Sequence, residues 1–407
     1  MSGARCINID WLECYCLESQ PRPVQYFISR GFNVSVRPYG TRFYNEMFTL
    51  YQDDEPFIEV RRSPASSGSA AAARYFDPRS CHIRLCNRTC YAFDAATIMK
   101  NFLDKHQFIF MSISRIDICM DFEKFDSGDE PFKFLTRYLK GKYAKVNQCT
   151  IAVHGKDEWD GRNYNSVSWG SKKSPVFTRF YDKTLELKEG KDKSYIRQAW
   201  ASCGLVDDFI QLTKKGEDGA FYKPRIWRLE FSIQSAVKNW VCFEVDELGG
   251  HTHRSKRNDL DVYANRDYLL PMFASLVAHY FHFKYFEEGV RKDRCRDKNL
   301  FTFEDVPVTY KVEKLTTAQC DDKALRALQR KIELYRMLHT DDNLRKACSV
   351  ILKNISQEIL QKQASHPWNE NEVLLLQRLI ADSLKLPGSA LDPDFYETLI
   401  SLPEQIF

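Results

Sequence analysis

One short segment, residues 114–122, alternates polar and apolar residues without interruption from Arg115 to Phe122. Side chains on a β-strand point to opposite faces in turn, so this segment predicts a strand with one apolar and one polar face. The apolar face carries Ile116, Ile118, Met120 and Phe122. The polar face carries Arg115, Asp117, Cys119 and Asp121. A strand of this kind covers a hydrophobic core with one face only, which favours an antiparallel sheet.

Residues 226–234 repeat this design, with Arg228 and Glu230 on the polar face of a second strand. Two carboxylates on one strand face repel each other unless a positive charge lies between them. Either an arginine or a divalent cation meets that need, and carboxylate oxygens are ligands that suit Mg²⁺ or Mn²⁺. We therefore predict that Asp117, Asp121 and Glu230 bind one Mg²⁺ or Mn²⁺ ion. The alternative interpretation is a polar strand face that is exposed to solvent.

A tyrosine lies between two cations in a third strand-like segment, residues 174–183. With a period of two, Arg179, Tyr181 and Lys183 project from the same face. A phenol with a pKa of about 10 is a weak nucleophile until cationic neighbours or a metal stabilise its phenolate. The same two cations suit a phosphate oxygen. The segment therefore predicts either a nucleophilic tyrosine or a tyrosine that fills a strand face.

The order of the predicted elements is typical of an α+β protein. Strands expected at residues 7–17, 25–36 and 82–91 precede a helix at 95–106, and further strands and helices follow. We expect a curved antiparallel sheet. Two similar α+β halves can together form this sheet. The small-residue stretch 62–73 predicts a flexible loop.

Strand patterns give way to amphipathic helical spacing after about residue 313. We therefore expect two domains, residues 1–312 and a helical domain of residues 313–407. All candidate catalytic residues precede residue 231. The helical domain is accordingly expected to serve target recognition, dimerisation or contact with a partner.

The charge is nearly balanced, since the 407 residues carry a net charge of only +4. Any affinity for nucleic acid must therefore come from local patches. A polar, basic loop predicted around residues 249–259 supplies one such patch with Arg254, Lys256 and Arg257.

Cysteine usage and apolar content exclude several classes of protein. The thirteen cysteines are an odd number scattered along the chain, which indicates reduced thiols rather than a secreted disulfide framework. No apolar run is long enough for a membrane span, and no secretory signal is recognisable. The glycine motifs of ATP-hydrolysing and dinucleotide-binding proteins do not occur. We expect a cytoplasmic protein that neither binds membranes nor hydrolyses ATP.

Taken in order, these segments resemble the replication initiation factor family, which includes rolling-circle initiators of plasmids and phages and relaxases of conjugative elements. The resemblance covers roughly residues 7–300. Its motifs are NIDWL at 8–12, SRID at 114–117 with DF at 121–122, WGSKKSP at 169–175, RFYDK at 179–183 with Glu186, and WRLEF at 227–231. Proteins of this family nick one DNA strand with a tyrosine, stay attached to the 5′-phosphate and later rejoin the strand, using a divalent metal.

The resemblance implies a role for each matching residue of this chain. Tyr181 takes the position of the nucleophile, with Lys183 and Arg179 as its cationic neighbours. The acidic positions that hold Mg²⁺ or Mn²⁺ fall on Asp117, Asp121 and Glu230, with Asp10 as a further acidic position. The residues then expected to contact DNA are Lys172, Lys173, Arg115, Arg228, Arg254, Lys256 and Arg257.

The resemblance also implies an activity and partners. Residues 1–312 would nick and rejoin DNA in a bacterial cytoplasm. Expected partners are an origin presented as single-stranded DNA, a host helicase and a second copy of the chain. One alternative is a relaxase of a mobile element with the same chemistry, and another is a regulator of the same fold that binds DNA without cleaving it. A metal-independent tyrosine recombinase and a purely structural protein are more distant alternatives.

Overall fold

The computed structural model describes residues 4–65, 79–146, 149–158, 161–172, 174–190, 193–235, 237, 239–245, 251–286, 295–303, 306, 308–313, 349 and 353. The chain divides into two units, residues 1–314 and 315–407. Nearly all of the second unit lies outside the described residues, and so does most of the predicted helical domain 313–407. The candidate catalytic residues all belong to the first unit.

The first unit contains eighteen β-strands among its described residues. They are β1 (Arg5–Glu18), β2 (Asn33–Val36), β3 (Tyr44–Gln52), β4 (Glu55–Pro64), β5 (Ser80–Leu85), β6 (Phe108–Phe122), β7 (Tyr143–Lys145), β8 (Ile151–Glu158), β9 (Gly161–Trp169), β10 (Val176–Asp182), β11 (Lys214–Lys215), β12 (Phe221–Tyr222), β13 (Trp227–Gln234), β14 (Asn239–Val245), β15 (His251–Arg257), β16 (Phe283–Tyr285), β17 (Arg296–Lys298) and β18 (Val308–Glu313).

Eight α-helices lie between these strands in the described part of the first unit. They are α1 (Val24–Ile28), α2 (Asn87–Cys90), α3 (Ala95–Lys105), α4 (Pro131–Leu139), α5 (Lys183–Glu189), α6 (Ser194–Ser202), α7 (Leu260–Ala264) and α8 (Leu269–Tyr280). A short 3₁₀-helix spans Arg266–Tyr268. No helix of the described residues is both long enough and apolar enough to cross a membrane.

Ten strands form one large sheet in the order β2-β3-β4-β5-β1-β6-β13-β10-β9-β8. Every neighbouring pair within this sheet is antiparallel. Small sheets of β15-β14-β18, β17-β16-β7 and β11-β12 accompany it. The prediction of an α+β fold built on a large antiparallel sheet is confirmed.

The apolar face of the large sheet is covered by helices, as the alternation in residues 114–122 predicts. Phe231 of β13 lies 5.2 Å from Phe273 of α8 between ring centres, and Phe180 of β10 lies 6.0 Å from Phe134 of α4. Helix α3 adds buried residues such as Met99 to the same core. Each large apolar side chain buried in this way contributes about 1.5–3 kcal/mol to folding. The polar face of the central strands is therefore the face that is available for a functional site.

Two expected strands are shorter than the sequence predicts. Residues 24–28 form helix α1, because Pro23 precedes it with φ −63° and fixes the backbone for a helix start. Gly31, with φ +89°, then turns the chain into β2. Strand β5 ends at Leu85, since the polar residues of α2 break the alternation that the strand needs.

The stretch 62–73, expected as a flexible loop, begins inside strand β4. Arg62 is buried and lies 3.1 Å from Glu18 and 2.8 Å from Glu46, so two carboxylates hold it in place. The other residues of the stretch are small, so residue type alone does not indicate this ion pair. Residues 66–73 lie outside the described residues.

Candidate active site on the polar face of the sheet

Cross-strand pairing brings the arginines and acids of the sequence motifs together. Asp121 of β6 lies opposite Arg228 of β13, and Glu230 of β13 lies opposite Arg179 of β10. Tyr181 of β10 lies opposite Arg228. Residues directly opposite on one sheet face have Cβ atoms about 5 Å apart, close enough for direct contact. The polar face of β6, β13 and β10 is thus one connected set of charges.

Tyr181 is bonded to a buried carboxylate. Its hydroxyl donates a hydrogen bond of 3.1 Å to Oε2 of Glu230, whose side chain is fully buried. Arg179 forms a close ion pair with the other carboxylate oxygen of Glu230, and its Nη2 also lies 3.8 Å from Asp117. The sequence predicted that Arg179 and Tyr181 share a face, and the structure brings Glu230 to both.

The pKa values of this pair suit a proton transfer. Burial raises the pKa of Glu230 to about 7, because loss of solvation disfavours the carboxylate more than Arg179 favours it. Loss of solvation and the charge of Glu230 raise the pKa of Tyr181 well above its ordinary value. The phenol therefore keeps its proton at rest, and a carboxylate that titrates near neutral pH lies in position to accept it.

A cavity of about 990 Å³ opens beside Tyr181. Arg115, Lys172 and Arg179 line it, together with small polar side chains of β9 such as Ser166 and Ser168. The side chain of Arg179 is 39% exposed and that of Arg115 is 32% exposed, whereas their carboxylate partners are buried. The cavity therefore presents the guanidinium groups of Arg179 and Arg115 to a ligand, next to the acidic side chains of Asp182, Glu186 and Glu189 that also line it.

Arg115 is held from two sides. Its Nε donates a hydrogen bond of 2.9 Å to Asp117, with a second bond from the same guanidinium to the other oxygen, and its plane lies 4.4 Å from the ring centre of Trp11. A guanidinium fixed by a carboxylate and an aromatic ring keeps one orientation at little entropic cost. Arg115 is thus oriented toward the cavity, and its role near DNA phosphates stays a prediction.

Arg228 lies in a second, closed cluster. It donates two hydrogen bonds of 2.6 Å to Asp121, one of 2.8 Å to Asp10 and one of 2.7 Å to the hydroxyl of Tyr91. Trp200 of α6 donates a further bond of 2.7 Å to Asp121. Arg228 has no exposed surface, so the prediction that it contacts DNA is wrong.

Asp10 belongs to the same closed cluster. Burial alone would raise the pKa of its carboxyl, but the charges of Arg228 and Lys183 and the hydrogen bonds from Tyr91 and Arg228 together hold it well below its usual range. Asp10 therefore stays ionised and balances the charge of Arg228. Its expected place among the acidic site residues stays a prediction.

Lys183 does not extend strand β10, as its spacing suggested, but begins helix α5. The carboxylate of Asp182 caps this helix by accepting the backbone N–H of Leu185 at 2.9 Å. Lys183 is nevertheless near the tyrosine, with its Nζ 5.4 Å from the ring centre of Tyr181 and 2.6 Å from Glu186. Burial lowers its pKa, although Glu186 opposes this shift.

The three predicted metal ligands do not meet at one point. Asp117 and Asp121 are four residues apart on β6, which separates their Cα atoms by about 13 Å, whereas oxygens bound to one Mg²⁺ lie about 2.1 Å from it. The oxygens of Asp121 are already bonded to Arg228 and Trp200. Among the described residues, no group of three or more His, Cys, Asp or Glu is arranged to hold a metal. The structure therefore does not bring Asp117, Asp121 and Glu230 together at one point, and a shared ion stays a prediction.

The remaining predicted DNA contacts lie in two places. Lys172 is exposed at the cavity, while Lys173 lies outside the described residues. Arg254, Lys256 and Arg257 belong to β15, an edge strand of the β15-β14-β18 sheet, and not to a loop. Pairing of β15 with β14 over seven residues explains this difference, since a polar sequence becomes a strand when a partner strand satisfies its backbone.

Two residues of the closed cluster were missed by the sequence interpretation. Tyr91 follows the short helix α2, and Trp200 lies on the buried side of α6. Neither belongs to an alternating strand, so strand periodicity gives no indication of them. The helical spacing of Ile196 and Trp200, four residues apart on α6, was the only available signal.

The closed cluster leads to a prediction about stability. We expect Arg228→Met to lower the free energy of unfolding by about 3 kcal/mol, because it leaves Asp121 and Asp10 buried without their cation. The double variant Asp121→Leu/Arg228→Met should recover part of that loss, since it removes charges of both signs. Urea denaturation measures both values.

A matched control is the exposed ion pair of Arg88 and Glu55, whose side chains are 50% and 53% exposed. Arg88→Met should change the free energy of unfolding by less than about 1 kcal/mol, because exposed pairs contribute little. Equal effects of Arg88→Met and Arg228→Met would contradict the assignment of Arg228 as a buried, charge-compensated group.

Comparisons with known proteins give limited information. No family model matches this sequence, and no curated protein matches it. One solved structure that it resembles is a rolling circle replication initiator protein from Geobacillus stearothermophilus, with a TM-score of 0.42 and 12% sequence identity over 73% of this chain and 93% of that chain. A TM-score below 0.5 is too low to transfer an activity or residue roles.

Proposed function

We propose that this protein cleaves and rejoins single-stranded DNA by transesterification, with Tyr181 as the nucleophile. The observation that carries the proposal is the 3.1 Å hydrogen bond from the Tyr181 hydroxyl to Glu230 at the wall of the 990 Å³ cavity. A tyrosine with a base on one side and exposed guanidinium groups on the other has the groups needed to attack phosphorus. The order of the sequence motifs, which resembles that of rolling-circle initiators, supports DNA as the substrate.

In the proposed step, the Tyr181 oxygen attacks the scissile phosphorus while Glu230 accepts the phenol proton. A bond forms between phosphorus and the tyrosine oxygen, and the bond to the 3′ oxygen breaks. The 3′ oxygen leaves as a hydroxyl with a proton from solvent, and the 5′-phosphate stays on the protein as phosphotyrosine. Since one phosphodiester is exchanged for another, the reverse reaction rejoins the strand without ATP.

The cations of the cavity have distinct tasks in this step. Arg179 and Arg115 are the exposed donors, and their fork geometry suits two oxygens of one phosphate. Lys172 offers a further charge at the cavity, and Lys183 contributes positive charge behind the ring of Tyr181. Single-stranded or extruded DNA is the proposed target, because a cavity with positive charges and polar walls suits a flexible single strand.

The experiment incubates the full-length protein with a pool of single-stranded oligonucleotides of random sequence that carry a 3′-end label. It is run in parallel with Mg²⁺, Mn²⁺ or EDTA, because the dependence on a divalent ion stays a prediction. The expected result is a labelled band that survives SDS and maps to the peptide containing Tyr181. Binding of the pool without any SDS-resistant band under all three conditions would instead indicate a non-catalytic DNA-binding protein.

A separate prediction concerns the basic edge strand β15. We propose that Arg254, Lys256 and Arg257 contact DNA phosphates away from the cleavage site. Changing all three to alanine should reduce the slope of log affinity against log salt by about 0.9 per lost contact on duplex DNA, because fewer counterions are released. Filter binding at several salt concentrations measures this slope.

The control for this prediction is Lys133→Ala/Arg137→Ala on helix α4, whose side chains are 60% and 52% exposed. This variant removes exposed charges from another surface and should leave the slope unchanged. The same reduction in both variants would mean that net charge, rather than β15, determines the affinity.

A further inference from the structure

The connection between β2 and β3, residues 37–43, presents aromatic and cationic side chains to solvent. Tyr39 is 82% exposed and Phe43 is 48% exposed. The side chain of Arg37 is 59% exposed, and the guanidinium of Arg42 lies 5.6 Å from the ring centre of Phe43. Single exposed aromatic residues are common on protein surfaces, but a group of them beside cations indicates a binding surface.

The backbone holds this β2–β3 connection in one conformation. The backbone N–H of Thr41 donates to the carbonyl oxygen of Tyr44 at 2.7 Å, and the hydroxyl of Thr41 accepts the backbone N–H of Tyr44 at 3.0 Å. A Cβ atom at Gly40 would collide with the carbonyl oxygens of Tyr44 and Asn45, so the tight turn needs glycine there. Tyr44 is buried, with its ring centre 5.5 Å from that of His82. The exposed rings are therefore preorganised, which lowers the entropic cost of binding.

The charge around the β2–β3 connection favours a negatively charged ligand. Residues 19–45 contain four arginines and no aspartate or glutamate. Glu46 of β3 and Glu59 of β4 belong to the adjoining strands, and each forms an ion pair with an arginine of β4. Arg37 lies 3.7 Å from Glu59, which is too far for a hydrogen bond, and its guanidinium makes no hydrogen bond to any described residue. Its donors are therefore available to an anion.

We propose that the β2–β3 connection is a binding site for single-stranded DNA outside the cleavage cavity. Unpaired bases stack on the rings of Tyr39 and Phe43, while the guanidinium groups of Arg37 and Arg42 bind the flanking phosphates. Aromatic rings among arginines suit a single strand, because each unpaired base offers a face for stacking and each nucleotide carries a phosphate. The choice of DNA as the ligand rests on the proposed function, whereas the stacking surface itself does not.

The β2–β3 connection adjoins the same face of the large sheet as the cavity. Arg37 reaches Glu59, which lies opposite Arg84 of β5, and directly opposed residues continue through β1 to Arg115 of β6. Six strand spacings of about 4.8 Å separate β3 from β10, which places the connection about 29 Å from Tyr181 along the sheet. Stacked nucleotides rise about 3.4 Å each, so about nine of them separate the two sites on one strand.

The test measures binding of the full-length protein to a labelled oligothymidylate of about thirty nucleotides by fluorescence anisotropy. Tyr39→Ala/Phe43→Ala should weaken binding at least about tenfold, because each stacked base contributes to affinity, and should leave the salt dependence unchanged. Arg37→Ala/Arg42→Ala should lower the slope of log affinity against log salt by about 1.4, since each phosphate contact on a single strand accounts for about 0.7. On an abasic strand of equal length, Tyr39→Ala/Phe43→Ala and the unchanged protein should bind equally, because no base is left to stack.

Phe93→Ala/Phe221→Ala supplies the matched control, because these rings are 77% and 69% exposed outside the β2–β3 connection. This variant should bind the oligothymidylate as tightly as the unchanged protein. The proposal is overturned if Tyr39→Ala/Phe43→Ala binds normally, if the control loses as much affinity, or if the abasic strand shows the same loss.

Vesicles that contain phosphatidylserine distinguish a lipid surface from DNA as the anionic ligand. The unchanged protein should bind the oligothymidylate and not the vesicles. Vesicle binding that depends on Tyr39 and Phe43, with normal oligothymidylate binding in their double variant, would overturn the proposal. Because none of these measurements includes a cleavage step, their result does not depend on whether Tyr181 forms an adduct.

Discussion

Tyr181→Phe is expected to abolish the covalent DNA adduct, with a loss of strand cleavage of about 10⁴-fold or more, because the variant lacks the attacking oxygen. The hydroxyl that it removes bonds only to Glu230 among the described contacts, and the ring stays between Arg179 and Lys183. DNA binding should therefore persist. An SDS gel with the 3′-labelled oligonucleotide pool measures the adduct, and filter binding measures the affinity.

Two other tyrosines provide controls for this result. Tyr164 lies on β9 near the matched segment, and Tyr195 lies on α6, where its ring packs 5.0 Å from that of Tyr91. Tyr164→Phe and Tyr195→Phe should retain the adduct. An adduct that survives in Tyr181→Phe, or that maps to a peptide without Tyr181, would rule out Tyr181 as the nucleophile.

The second large effect is expected for Glu230→Gln, which keeps the shape of the side chain but cannot accept a proton. Adduct formation should slow by about 10³-fold, within the range that a lost general base usually costs. In the unchanged protein the rate should rise as the pH passes through the pKa of Glu230, which is about 7 without DNA, and level off above that value. In Glu230→Gln this rise should disappear, since no carboxylate titrates beside Tyr181.

Glu186→Gln is the matched control for the base. Glu186 also lies at the cavity, but its oxygens are 2.6 Å from Lys183 and 2.6 Å from Lys193 rather than bonded to the tyrosine. Rapid-quench measurement of adduct formation across the pH range compares the two variants. If Glu186→Gln flattened the pH profile and Glu230→Gln did not, the base would be assigned to the wrong carboxylate.

Much of this arrangement could be predicted from residue spacing. Strand periodicity depends only on backbone geometry, so it correctly assigned the apolar and polar faces of β6 and β13 and the shared face of Arg179 and Tyr181. Residue types also contain a helix-start signal here. Asp182 is a favoured N-cap residue and Glu186 places an acid in the first turn, which explains why Lys183 begins α5.

Other features could not be predicted, because they depend on which distant segments pair. Arg115 and Arg228 occur in the same motif, yet one lines a cavity and the other is fully buried. The difference comes from α6, which places Trp200 over Asp121. Burial of a charge is decided by the whole fold, whereas periodicity is decided locally.

The position of Arg179 between Glu230 and Asp117 has a consequence for timing in the proposed reaction. A phosphate that enters the cavity competes with Glu230 for the same guanidinium. Once Arg179 turns to the phosphate, the carboxylate loses the positive charge that favours its ionised form, and its affinity for a proton rises. The arrival of the strand would then strengthen the base at the moment when a target is present. Without DNA, Arg179 would instead keep the proton affinity of Glu230 low, so that Tyr181 keeps its proton and stays unreactive.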